Sequence, residues 1–389
     1  MYNKNLVFTA SCLGMLIFGV VLTTLGVILP SLIVKFNIDK IHAGTLMSLM
    51  SIGILTGSLT FGPIADRYGY KGLLSISALL VLIGMEGIAV TTEFFILRIA
   101  VFLIGFGGGI INGGTNALVA DISEGGRSAN LSLLGMFFGL GAIGMPLLLG
   151  FLMNRISYES FLGAVGIFVL LPTIFFLSIR FPLPKQPDKI PLRQGFSLLK
   201  KSTLLILSLI LFFESGIEIT IASWTTLFLN EELAVQPDQA VFYLSFFWLG
   251  MVLARFVLGY ILKSVAPDSV LLTCLAIAFF GTLLMFFSHD VIVTVFALSL
   301  IGIGFAAGFP VILGYIGDLF PQLSGTAFSI AFVIALIGGT ILPFVTGVSA
   351  DSFGLRYSIL LVPVCLAGMV ILFLIIRNRI HRDISTNKI

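Results

Sequence analysis

Charge is what this sequence has least of. Asp, Glu, Lys and Arg make up 10% of its 389 residues, against 58% hydrophobic. Soluble domains carry about 25% charged residues, so an ordinary water-soluble fold is excluded. Cysteine is also scarce. Cys12, Cys274 and Cys365 are scattered through apolar segments. An odd number without paired spacing implies no disulfide framework. The histidines, His42, His289 and His381, stand isolated at loops or ends. There is no HExxH, no GxxxxGK[ST] phosphate loop and no soluble stretch to hold ATP. These absences leave no enzyme constellation, no metal site and no nucleotide-driven machine.

What is present is long apolar runs. About 20 such residues cross a bilayer, and most of the chain consists of them. The sequence predicts twelve spans, near 6–31, 41–61, 73–91, 95–119, 129–151, 160–180, 202–229, 240–262, 269–287, 291–316, 325–349 and 356–376. The fold class is therefore an all-α membrane protein. The stretch RFPLPKQPDKIPLRQGFSLLKKS, rich in Pro and Lys/Arg, separates the sixth span from the seventh and cannot cross a membrane. The expected organisation is a six-helix bundle over 1–180, a cytoplasmic linker over 181–201, a second six-helix bundle over 202–380 and a cytoplasmic tail over 381–389. The short N-terminus is expected to run straight into an uncleaved first span.

An even span count puts both termini on one side. With that side taken as the cytoplasm, 16 of the 21 Lys and Arg residues fall inside, and only Lys35, Lys40, Arg98, Arg155 and Arg356 fall outside. The positive-inside rule supports this orientation. The expected location is the inner (plasma) membrane.

The two halves match at a constant offset of 197. Gly19 pairs with Gly216, Gly53 with Gly250, Gly62 with Gly259, Gly84 with Gly281, and Gly105 and Gly107 with Gly302 and Gly304. Asp121 pairs with Asp318, and GAIGMPLLLG with GGTILPFVTG. A parallel repeat of six spans about an axis along the membrane normal is a transporter architecture, with the substrate held near the midplane between repeats. One half rocking against the other would give alternating access.

Polar groups inside spans carry the site argument, because a charge at mid-membrane costs about 2.5–3.5 kcal/mol on insertion scales. FFESGIEITIASW in span seven holds Glu214 and Glu218 on one helical face, followed by Trp224. Desolvation favours the neutral form of a carboxyl, and two nearby acids titrate as a pair. Such a pair suits a co-transported proton or sodium; a static protonated acid bonded to a neighbouring helix is the structural alternative. Glu86 in span three is a further, weaker coupling candidate. In GFGGGIINGGTNALVAD, Asn112 and Asn116 are one turn apart. They are expected to face inward, bonding substrate or neighbouring helices, because an unpaired amide is costly in lipid. Arg255 ends span eight and is expected to tie down an inner gate. Phe137, Phe138, Trp248, Phe309 and Tyr315 are candidate cavity walls.

The loop GPIADRYGYK resembles the signature loop G-x-L-a-D-R-x-G-R-K of the major facilitator superfamily. Gly62, Asp66, Arg67, Gly69 and Lys71 fit it; Ile64 and Tyr70 depart. The resemblance implies a gating latch and two pseudo-symmetric six-helix bundles. The stretches FESGIEITIASWTTLFL, ARFVLGYILKSVAP, GFPVILGYIGDLF, GGTILPFVTGVSAD and GFGGGIINGGTNALV resemble the fucose/glucose/galactose–proton symporter branch. This implies cation-coupled uptake of a monosaccharide or similar small polar solute. Asn116 keeps a family asparagine, but Asn112 stands where the branch has a glutamate, Gly26 where it has an acid and Phe138 where it has a polar residue. If coupling survives here, Glu218 and Glu214 carry it. Asn112, Asn116, Trp224, Phe138 and Phe309 are the substrate-binding candidates.

The expected partners are a small-molecule substrate and the lipid bilayer, with no nucleic acid; the expected state is a functional monomer. A proton-driven exporter of drugs or metabolites is the first alternative. A membrane sensor is the second; it lacks the long cytoplasmic extension such proteins carry.

Overall fold

The computed structural model of the protein describes residues 2–38, 40–123, 126–152, 155–185 and 197–386. Most of the expected linker, with Lys189 and Arg193, and Lys388 of the tail lie outside the described residues. Among the described residues the structure is helical throughout, with no strand. The helices are α1 (Lys4–Phe36), α2 (Lys40–Tyr68), α3 (Tyr70–Val90), α4 (Phe94–Ile122), α5 (Arg127–Leu152), α6 (Tyr158–Ser178), α7 (Ser202–Leu233), α8 (Pro237–Ile261), α9 (Pro267–Phe287), α10 (Val291–Phe305), α11 (Gly308–Leu319), α12 (Ser324–Phe353), α13 (Leu355–Ser358) and α14 (Leu361–Thr386).

Among the described residues, twelve segments are long and apolar enough to cross a membrane, as the sequence predicts. Helices are the form this composition must take, because a bilayer offers the backbone no partner of its own. Helix ends are set by local signals. The Asn3 side chain accepts the N–H groups of Asn5 (3.0 Å) and Leu6 (3.3 Å) to start α1. Asn37 adopts a left-handed conformation and ends it. Asp290 starts α10 by accepting the Val293 N–H at 3.0 Å. Large apolar side chains such as Leu59, Ile76, Phe95, Ile292 and Phe344 are exposed, as bilayer-facing residues must be.

Span ten departs from the single helix expected over 291–316. It is two helices, α10 and α11, parted at Ala306 and Ala307. Pro310 explains the break: it lacks an N–H and its ring crowds the carbonyl four residues back, which here belongs to Ala306. The Ala306 N–H turns to the Ile303 carbonyl at 3.2 Å, and the helix resumes with Val311 N–H on the Ala307 carbonyl at 3.0 Å.

The chain forms two compact units. One comprises Met1–Ile122, Phe137–Gly195 and Gln322–Ser329; the other comprises Ser123–Met136, Phe196–Pro321 and Ile330–Ile389. Within each, glycine lets helix backbones touch, and the contacts repeat at the 197 offset. In the first unit a Cβ on Gly105 would overlap the Met50 carbonyl oxygen; in the second, one on Gly302 would overlap that of Phe247. A Cβ on Gly53 would lie 2.6 Å from the Phe102 oxygen, and one on Gly250 2.6 Å from the Ser299 oxygen. Gly19 and Gly141 pack together in the first unit as Gly216 and Gly338 do in the second. Each pair of positions differs by 197 residues.

Candidate functional site

In the first unit, α4 carries the asparagine pair. Glycine-lined packing against α1, α2 and α3 fixes the helix, and Asn116 is buried. Its amide nitrogen donates to the Asn112 carbonyl at 2.9 Å and the Asn112 side-chain oxygen at 3.2 Å, beside the Met15 sulfur. The two amides thus share a face, as their spacing requires. Asn112 is half-buried, and among the described residues its own NH2 donates to none. Phe138 is buried and stacks on Phe18 with centroids 5.5 Å apart. Open space surrounds the Cβ position of Gly26.

Glu86 is half-buried on α3, with its carboxyl against Gly166 of α6. Its Oε1 is buried without a hydrogen-bond partner among the described residues.

The second unit holds the acids of α7. Glu214 is fully buried, and neither carboxyl oxygen has a hydrogen-bond partner among the described residues. Glu218 is half-buried one turn on. Arg255 of α8 lies within electrostatic reach of both. It is buried, donates from Nη1 to the Gly135 carbonyl at 3.3 Å, and accepts at its own carbonyl from the Ser132 hydroxyl at 2.8 Å. Arg255 therefore ties α8 to the start of α5. Trp224 points its ring at Gly347 and donates its indole N–H to the Pro343 carbonyl at 3.1 Å. Phe309, just past the span-ten break, is half-buried and stacks on Phe332 at 6.4 Å.

The signature loop closes on a second helix within the first unit. Gly62 meets Gly325 backbone to backbone, so closely that a Cβ on either would collide. That approach brings buried Asp66 to the start of α12, where Thr326 donates to Asp66 Oδ2 from its N–H at 3.0 Å and its hydroxyl at 2.6 Å. Gly69 takes φ +76°, a value glycine adopts without penalty, and so starts α3. Arg67 lies over the Tyr68 ring at 4.9 Å, and Lys71 is exposed. Tyr70, which departs from the signature, donates its hydroxyl to Asp121 at 2.6 Å.

Several partners were not read from sequence. Asp121 also binds Lys185 at 2.5 Å and the Ser324 hydroxyl at 2.6 Å. In the second unit Arg127 pairs with Asp318. Asp268 gathers Tyr315, Arg377 at 2.5 Å and His381 at 2.8 Å. His381 is thus not isolated, and the Tyr315 hydroxyl serves Asp268. The one advance signal was the pairing of Asp121 with Asp318 in the repeat.

The profile of the Major Facilitator Superfamily matches residues 11–267 and 207–388, which together take in nearly the whole sequence. The chain belongs to the Major Facilitator Superfamily. A superfamily relative, the glucose/mannose transporter GlcP of Bacillus subtilis, is 24% identical over 352 residues, covering 86% of this chain and 85% of that protein. The fold is similar to that of the E. coli fucose:proton symporter FucP, with a TM-score of 0.79, 20% identity and coverage of 94% and 97% of the two chains. It is also similar to the proton:xylose symporter XylE, with a TM-score of 0.78, 14% identity and 95% coverage of each chain. The superfamily is one of transporters, and this chain is a multi-pass membrane protein.

Proposed function

We propose that this protein is a secondary active transporter that takes up a monosaccharide or a similar small polar solute by alternating access, coupled to a cation. The observation that carries the coupling is Glu214. A carboxyl fully inside a membrane span, with no hydrogen-bond partner for either oxygen among the described residues, is not held there by a structural hydrogen bond. Transmembrane acids usually mark an ion or proton path, and Glu218 one turn away gives the path a second station.

The asparagine pair suits a hydroxylated substrate. An amide offers two donors and an acceptor, and Asn112 has its NH2 to give. Phe138 in the first unit and Phe309 in the second each offer an apolar face of the kind sugar rings pack on, and Trp224 is a further aromatic candidate in the second unit. The similarity to a glucose/mannose transporter supports a hexose. Both termini lie in the cytoplasm, as the 16-to-5 distribution of Lys and Arg favours, and one chain, supplying both halves of the repeat, serves as a monomer in the plasma membrane.

Asp66 and Arg255 act as latches. Each joins helices from the two sequence halves, to α12 and to α5 respectively. Alternating access requires these contacts to break and reform in each cycle.

The test is uptake of labelled D-glucose by proteoliposomes under an imposed inward proton gradient, with an unlabelled hexose panel in competition. Accumulation against the sugar gradient supports the proposal. Efflux of labelled solute from vesicles under the same gradient contradicts it and points to export.

A further inference from the structure

Glu214 does not stand in featureless hydrocarbon. Its carboxyl lies against Gly308, where an added Cβ would collide with the carboxyl carbon and both oxygens. Gly308 is the first residue of α11, the half-helix that resumes span ten after its break. No side chain caps that helix start. Ala307, Gly308 and Phe309 donate no backbone hydrogen bond across the break, and Pro310 has no N–H to offer. Nor does any described backbone group bond the Gly304 or Phe305 carbonyl at the end of α10. The break therefore presents N–H donors and carbonyl acceptors to one buried acid.

We propose that Glu214 and the span-ten break together form the proton site, and that the break reads whether the proton is present. This rests on the proposed coupling of transport to a cation. Ionised, Glu214 is an acceptor only and caps the free N–H groups of α11, where the helix dipole favours negative charge. Protonated, it gains an O–H donor and turns to a free carbonyl of α10. One proton is bound to a carboxylate oxygen from one side of the membrane and released to the other; no other bond is made or broken. Phe309 follows Gly308 directly, so a shift in the break moves an aromatic of the candidate substrate wall.

The charged and titratable groups facing Glu214 are Glu218 on its own helix, Arg255 on α8 and Cys274 on α9. Arg255 has its Nε buried without a hydrogen-bond partner among the described residues. It supplies the countercharge while Glu214 is ionised.

The experiment is pH-difference infrared spectroscopy of the purified full chain in nanodiscs, read at the carboxylic-acid C=O band. It needs no substrate and so is independent of the proposed sugar. The wild type is expected to show a buried-carboxyl band that Glu214→Gln removes, that Glu218→Gln keeps, and whose titration midpoint Gly308→Ala shifts. If Glu214→Gln does not fold, Glu214→Asp keeps the carboxyl but moves it from the break, and must shift the midpoint. A band that survives Glu214→Gln, a midpoint indifferent to Gly308→Ala, or displacement of the band by sodium at fixed pH would overturn the inference. In vesicles, Glu214→Gln is expected to lose gradient-driven accumulation of labelled glucose by about tenfold or more. If accumulation persists at the wild-type level, Glu214 is not the proton carrier, even where coupled transport itself stands.

Discussion

Arg127 and Ser324 lie 197 residues apart, at equivalent positions in the repeat, and each grips the aspartate that ends the other half's fourth span. Arg127 pairs with Asp318, and Ser324 donates to Asp121 at 2.6 Å. Asp121 and Asp318 are themselves 197 apart. The repeat thus builds one latch twice with different chemistry: an ion pair in one copy, a hydroxyl helped by Lys185 in the other.

This asymmetry makes the two copies unequal. Arg127 and Asp318 are partly exposed, so Arg127→Ala is expected to cost about 0.2–1 kcal/mol. Lys185→Met removes a donor shared by Asp121 and Ser324 and is expected to cost more, about 1–3 kcal/mol. Thermal unfolding of the two variants in one detergent checks the order.

Asp66 is buried with two donors from Thr326. Asp66→Ala leaves both donors unpaired and is expected to destabilise this conformation by about 1–3 kcal/mol. A cysteine placed at the start of α12 should then react faster with an impermeant thiol reagent. Unchanged labelling would show that Asp66 does not hold this contact.

Helix contact through glycine should be intolerant where backbones meet. Gly141→Leu and Gly338→Leu drive a side chain into the Leu16 and Phe212 carbonyls, and both are expected to abolish accumulation of folded protein. Overpacking costs about 1–3 kcal/mol even where neighbours yield, and backbone does not yield. Gly26→Ala, with nothing within 4 Å of its Cβ, is expected to be silent. Fluorescence size-exclusion profiles separate the three.

Asn112 has an amide free for substrate. Asn112→Ala is expected to raise the half-saturation concentration for hexose uptake about tenfold, or about 1.4 kcal/mol. The melting temperature should not move. A fall in melting temperature with unchanged uptake would assign Asn112 to packing.

The fold was legible because the bilayer leaves few options. Apolar run length counted the spans, and the glycine offset marked where backbones touch, down to Gly105 on Met50 and Gly302 on Phe247. Asn112 and Asn116 were placed on one face by helical spacing alone. The partners of Asp66, Asp121 and Asp268 were not legible. Thr326, Ser324 and Arg377 lie more than 100 residues away from them in sequence, and a lone hydroxyl or arginine at a helix end has many possible uses. The span-ten break was missed for a different reason. Hydropathy is continuous through GFAAGFP, and only the missing N–H of Pro310 marks it.

Everything proposed here turns on proton-coupled sugar transport by the acids of α7. Its most direct test is internal pH in proteoliposomes as D-glucose and 6-deoxyhexoses are added outside, for wild type, Glu218→Gln and Glu214→Gln. Sugar-triggered acidification is expected in the wild type, abolished by Glu214→Gln and weakened by Glu218→Gln. Labelled sugar entering with no pH change in any of the three would contradict it.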